Sequence, residues 1–220
     1  MKKILITGSN GTIGKIIKKN LINYKFYDFD LPKYDARNYN DILRAMKGMD
    51  LVIHLGWDTK VENWKSRKIN PDNSLMTFNI YNAAIEAGVP RVIMASSVHA
   101  DDYSKWKGPG LMNCNTVPIP DSPYGASKIF MEALGRYYAN LGLEVVCIRF
   151  MGLNSDNNSF KEVEESRKWF SHKDCARLIK SIINAPRVPN NFVVMYGVSN
   201  NTGRIHDFVN PFGWAPRDGK

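Results

Sequence analysis

Cysteine is scarce in this sequence: Cys114, Cys147 and Cys175 are the whole complement of a 220-residue chain. An odd, scattered set with no Cys-x-x-Cys pair excludes a disulfide framework and a zinc site of that type, and fits a reducing compartment. The four histidines, His54, His99, His172 and His206, lack metal-ligand spacing, so no metal is expected. Long apolar runs are missing too. Nothing approaches the roughly 18 residues of a membrane span. The opening Met1-Lys2-Lys3-Ile4-Leu5-Ile6 breaks at Thr7-Gly8, too soon for a signal-peptide core. A cytoplasmic protein without a membrane partner is the expectation. Repeats and low-complexity tracts are absent, and 44% hydrophobic with 23% charged residues argues against intrinsic disorder. Acidic excess is absent as well: 30 Lys+Arg against 21 Asp+Glu give a net charge of +9. The basic residues are dispersed, and Lys15, Lys18 and Lys19 read as the outer face of one helix. A nucleic-acid partner is therefore not expected, whereas a small anionic ligand would profit from the same field.

What is present is rhythm. Short apolar runs at 3–7, 25–29, 51–55, 91–95, 144–150 and 192–197 alternate with helical patterns. Ile13, Ile16, Ile17 and Leu21 mark one helix face, Leu75, Phe78, Asn82 and Ile85 a second, and a third helix spans 123–141. Strand and helix in alternation predict an α/β, Rossmann-type doubly wound parallel sheet with helices on both faces. The length fits a single domain over 1–220. A dinucleotide-binding core over about 1–150, plus the strand near 192–197, leaves a reduced C-terminal substrate lobe over about 151–220. The Gly- and Pro-rich stretch 101–121 reads as a long surface loop, and 154–158 as a polar turn. Both follow strands at their carboxyl ends, where open parallel sheets bind ligands.

Thr7-Gly8-Ser9-Asn10-Gly11-Thr12-Ile13-Gly14 follows the first strand and opens a helix. Gly8, Gly11 and Gly14 there allow backbone N–H groups to approach a pyrophosphate at a helix N-terminus. Asp30, 22 residues after Gly8, ends the second strand. A carboxylate at that place accepts hydrogen bonds from the adenosine ribose and repels a 2′-phosphate, so the cofactor read from these residues is NAD.

Two Tyr-x-x-x-Lys pairs occur, Tyr103–Lys107 and Tyr124–Lys128. The first lies in the loop, where no helix fixes the partners. The second sits one helical turn apart, behind Ser122 as N-cap and Pro123 as first helical residue. A helix dipole, an ammonium and a cationic cofactor are expected to lower the Tyr124 phenol, fitting it to accept a substrate proton. Ser97, in Ala95-Ser96-Ser97-Val98-His99, is the candidate partner that holds the reacting oxygen; His99 is a candidate substrate contact. Ser171-His172-Lys173-Asp174 reads as a structural capping box.

In this order the three elements resemble the extended short-chain dehydrogenase/reductase family, also called NAD-dependent epimerase/dehydratase, over about residues 1–200. Within it, Ala95–His99, Tyr124–Lys128, Trp169-Phe170-Ser171-His172-Lys173-Asp174 and Phe212-Gly213-Trp214 are most similar to the uronate dehydrogenases. The resemblance implies cofactor contacts at Gly8, Gly11, Thr12, Ile13, Asp30, Asp35, Leu55, Gly56, Asn73 and Lys128. It makes Tyr124 the base with Ser97 beside it, and turns Thr59 and His99 towards a sugar. Gly152 stands where the uronate enzymes have a serine. Their carboxylate-binding arginine has Lys161 and Arg167 as its nearest substitutes.

The implied activity is NAD-dependent oxidation of a sugar or sugar acid. The alternatives are a nucleotide-sugar epimerase or dehydratase that retains its NAD, and a non-catalytic NAD-binding module. The short stretch after the fifth strand favours a single sugar ring over a nucleotide sugar. A homodimer through the helices around 73–87 and 123–141 is implied in the same way.

Overall fold

A computed structural model describes residues 1–59, 67–159 and 161–219. The order is β1 (Lys3–Thr7), α1 (Thr12–Asn20), β2 (Lys25–Phe29), α2 (Tyr39–Met46), β3 (Leu51–His54) and α3 (Pro71–Glu86). Then follow β4 (Arg91–Ser97), α4 (Pro123–Asn140), β5 (Glu144–Phe150), α5 (Val163–Ser166), α6 (His172–Asn184) and β6 (Phe192–Gly197). All neighbours in the six-stranded sheet are parallel, in the order β2-β1-β3-β4-β5-β6. The order reverses between β1 and β3, which opens a crevice at their carboxyl ends.

Both faces are covered, so β1, β3 and β4 are buried along nearly their whole length, whereas the edge strand β2 exposes Lys25 and Asp28. Ile4 and Ile6 pack into a layer with Ile16 and Ile17 of α1 and Leu178, Ile179 and Ile182 of α6. Leu5, between them, points the other way to Ile42 of α2, Ile80 of α3 and Met131 of α4. Each such buried side chain contributes about 1.5–3 kcal/mol, so these two layers outweigh the exposed ion pairs.

The strand expected at 91–95 extends to Ser97, because Ser96 and Ser97 stay in register with Arg149 and Phe150 of β5. The first cap is as read: Ser122 Oγ accepts from Gly125 N at 3.1 Å, with Pro123 leading α4. Ser171 caps α6 in the same way, accepting from Asp174 N at 2.9 Å. The reciprocal half of the box is not made. The Asp174 carboxylate accepts instead from Ser199 Oγ and from the backbone of Arg217 and Asp218, tying down the C-terminal segment.

The periodicity does not mark α2, a short helix started by Asn38 as its cap. Its two buried residues, Ile42 and Met46, are too few to set a pattern. Nor is 101–121 a free surface loop. Asp101 is buried and accepts from Ile119 N at 3.0 Å, and Met112 bridges to His206. Among the described residues, no helix is long and apolar enough to cross a membrane, and no cluster of three metal-ligating side chains occurs.

Candidate active site

Two clefts meet at the carboxyl ends of the strands. The first, about 600 Å³, is lined by Gly8, Gly11, Asp30, Asp35, Leu55 and Gly56, with Arg37, Trp57 and Asp72. The second, about 630 Å³, is lined by Ile13, Thr59, Ser97, His99, Tyr124 and Lys128, with Tyr103, Asp121, Glu165 and Lys168. Leu55 and Trp57 wall both, so the two form one continuous trough.

The first cleft is a cradle that side chains would fill. Gly8 has φ +65°, and a Cβ there would lie 2.7 Å from Gly56 N. A Cβ on Gly14 would lie 2.5 Å from Ser9 O. Glycine at these two places is thus a requirement of the β1–β3 approach and of the turn into α1, not only of a ligand. Ser9 Oγ is buried in this turn without a hydrogen-bond partner among the described residues. Thr12 begins α1 at the surface. The Asp30 carboxylate accepts from Asn10 N at 2.8 Å and Leu31 N at 2.9 Å, which fixes it at the rim with lone pairs to spare. These features fit the adenosine and pyrophosphate of a dinucleotide.

Asp35 is gripped by Arg37, whose Nε and Nη2 reach it at 2.9 and 2.6 Å while Nη1 reaches Asp72 at 2.9 Å. The hydrogen bond from Arg37 holds the Asp35 carboxyl below its ordinary range, against the opposing effect of burial. Asn73 does not line the cleft. Its amide bonds the backbone N–H and carbonyl of Asp58, at 2.8 and 3.2 Å, and so sets the chain just beyond Trp57.

In the second cleft the first turn of α4 presents Tyr124 beside Ser97, and both side chains line the wall. Ser97 Oγ also accepts from His99 N at 3.2 Å. The His99 ring packs edge-on to Tyr124, and its Nδ1 donates to Asp121 at 2.6 Å. Burial works against the Asp121 carboxylate, yet the bonds from His99 and Ser122 outweigh it and hold its pKa below the usual value.

Lys128, buried, donates to Ala95 O at 2.7 Å and lies 3.5 Å from the centre of the Trp57 ring. Burial pushes its pKa well below that of a free lysine. The Tyr124 phenol departs from the expected lowering. Burial raises it, Ser97 opposes, and the Asp121 charge adds to the rise.

A buried network holds α4. Glu132, one turn after Lys128, accepts from Ser96 Oγ at 2.5 Å and from Arg149 Nε and Nη2 at 2.9 and 2.8 Å. Arg149 also reaches Asp101 at 3.5 Å, linking α4, β4, β5 and the 101–121 segment beneath Ser97 and Tyr124.

Lys161 and Arg167 are not brought together with the other candidates. Lys161 is exposed away from the cleft wall, and the Arg167 guanidinium lies near Gly203, 3.2 Å from where a Cβ on that glycine would be. The bridge between Gly152 and Trp169, with Gly152 N donating to Lys168 O at 2.8 Å, turns Lys168 and Glu165 to the cleft instead. Tyr103 belongs to the cleft as well, but its partner is Lys168, not the exposed Lys107. No local spacing signals Asp121 or Trp57; Glu165 and Lys168, three residues apart, have the spacing of an ordinary helix-surface ion pair, and Lys168 stands next to Trp169 in the segment that resembles the uronate enzymes.

Residues 4–168 match the NAD dependent epimerase/dehydratase family. The uronate dehydrogenase of Pseudomonas syringae pv. tomato is 30% identical, over 98% of this chain and 82% of its own length. The L-arabinose 1-dehydrogenase (NAD(P)(+)) of Haloferax volcanii is 26% identical, over 99% of this chain and 97% of its own. The crystal structure of uronate dehydrogenase from Agrobacterium tumefaciens superposes with a TM-score of 0.82 at 26% identity, covering 100% of this chain and 85% of that one. A mutant of that enzyme complexed with NAD gives a TM-score of 0.81, at 26% identity over 100% of this chain and 86% of that one.

Proposed function

The chain belongs to the NAD dependent epimerase/dehydratase family, with NAD as cofactor, and from that membership we propose that it is an oxidoreductase acting on a free sugar or sugar acid. The observation that carries the reading is the placing of Tyr124, Ser97 and Lys128 together in one cleft, with Tyr124 one helical turn from Lys128, continuous with the glycine cradle. Gly8, Gly11 and the α1 N-terminus hold the pyrophosphate, Asp30 the adenosine ribose, and Leu55 and Gly56 the wall between them. NAD supplies the acceptor for the hydride that leaves the substrate carbon.

Ser97 and Tyr124 bind the hydroxyl oxygen on that carbon, and the Tyr124 phenolate takes its proton. The Lys128 ammonium, where charged, favours the phenolate. Asp121 fixes the His99 ring so that it faces the sugar from beside Tyr124. Residues 151–220 outside β6 serve as the substrate lobe, contributing Glu165 and Lys168.

A free ring suits the cleft better than a nucleotide sugar. A diphosphate needs uncommitted cations, and the Lys168 ammonium already serves Glu165 at 2.5 Å. The test is a panel of aldoses, uronic acids and nucleotide sugars followed by NADH absorbance. Net NADH from a monosaccharide is expected. Product without net NADH from a nucleotide sugar would replace this reading by an epimerase, and silence across the panel, with NAD bound, by a binding module.

A homodimer is part of the same proposal. Leu75, Phe78 and Ile85 of α3 and Phe130 and Tyr137 of α4 form exposed apolar surface, Phe78 being 50% exposed. A second copy of the chain covers it, and sedimentation equilibrium should give the dimer mass; a monomer mass removes this assignment.

A further inference from the structure

The catalytic cleft holds two close polar pairs besides Tyr124 and Ser97, one hydrogen-bonded and one ionic. His99 is matched to Asp121 at 2.6 Å, and Lys168 to Glu165 at 2.5 Å. Tyr103 completes the second pair: its hydroxyl accepts from Lys168 Nζ at 3.1 Å, and the ammonium lies 4.7 Å from its ring centre. The lysine is fixed rather than free, with its side chain 12% exposed against 47% for Glu165. Burial works against its charge, but the bonds to Glu165 and Tyr103 prevail and raise its pKa.

We propose that the Lys168–Glu165 pair, backed by Tyr103, selects a neutral aldose ring and rejects the corresponding uronate. This rests on the sugar-oxidoreductase reading and narrows its substrate class. A sugar hydroxyl is both donor and acceptor, so it accepts from Lys168 Nζ while donating to Glu165 and disturbs neither partner. A uronate carboxylate accepts only. To reach Lys168 it must displace or approach Glu165, with Asp121 on the same cleft wall, and like charges so placed repel. Lys128 does not offset this, since it is buried against Trp57 and bonded to Ala95 O. Arg167, the nearest guanidinium in sequence, lies outside the cleft wall.

The experiment measures binding and turnover separately on the NAD-loaded protein, with galactose against galacturonate as probes. Saturation-transfer NMR reads binding without requiring chemistry. The aldose is expected to bind at least about tenfold more tightly in the wild type. Glu165→Gln, a change at a half-exposed carboxylate that keeps the side-chain shape, should shrink that ratio severalfold by strengthening uronate binding. Equal or tighter uronate binding by the wild type overturns the proposal. So does a ratio unchanged by Glu165→Gln, or binding of neither ring at millimolar concentration. NADH formation, followed in parallel, separates the two levels. Selective aldose binding without NADH upholds the selection and removes the redox reading; NADH from the uronate in preference to the aldose upholds the redox reading and overturns the selection.

Discussion

Tyr124→Phe is expected to lower turnover by about 10²–10⁴-fold, the range of a proton-transfer group, while NAD affinity stays nearly unchanged. The phenol stands with Ser97 in the cleft wall and is given its role in the chemical step, so the loss belongs in the rate constant. The fold has little stake in it, because the ring remains to pack edge-on against His99. The pH profile gives a second readout. Only the phenolate accepts a proton, and burial raises the Tyr124 pKa in the protein. Oxidation should therefore accelerate as pH rises, and that limb should vanish in the variant. Single-turnover kinetics with calorimetric NAD titration measures both quantities. A loss below about tenfold, with the pH limb intact, would give the proton to another group.

NADP should bind on the order of 100-fold more weakly than NAD, and Asp30→Ser should narrow the difference. The Asp30 carboxylate is fixed by two backbone N–H groups at the rim, where a 2′-phosphate would meet it with like charge. A nearby cation is the usual remedy, and Arg37 lines the same cleft. Its guanidinium, however, is spent on Asp35 and Asp72, and Lys33 lies over the Tyr34 ring at 5.0 Å. Redirecting Arg37 to a phosphate would abandon two carboxylates. Titration calorimetry with both cofactors checks this, and comparable dissociation constants would contradict the role given to Asp30.

The glycine turn, the place of Asp30 at the end of β2 and the Tyr124–Lys128 spacing were legible because each is written close along the chain. Strand, turn and helix fix Gly8, Gly11 and Gly14 relative to one another, and one turn of α4 fixes Tyr124 relative to Lys128. Short-range geometry of that kind survives whatever the rest of the chain does. The substrate side had no such guarantee. Charge and nearness to Trp169 point to Lys161 and Arg167, but which side chain faces inward there is set by the Gly152–Trp169 bridge, a pairing of segments 17 residues apart.

The loop tyrosine shows the same limit. Tyr103–Lys107 is an idle spacing, yet Tyr103 enters the cleft through Lys168, 65 positions away. The phenol's acidity turned on this as well. Spacing supplied the groups that lower it, and only the folded chain supplied the burial and the Asp121 charge that raise it.

By itself, then, the sequence determined the parallel α/β sheet and the dinucleotide cradle, since the short apolar runs, the 3.6 period between them and the glycine turn are properties of neighbouring residues. The tertiary structure alone decided the meeting of His99 with Asp121 and of Tyr103 with Lys168, the reach of Arg37 to Asp72, and the place of Trp57 over Lys128. Those contacts join elements whose relative position depends on sheet order and crossover packing, and side-chain direction at such meetings is fixed only once the layers have closed.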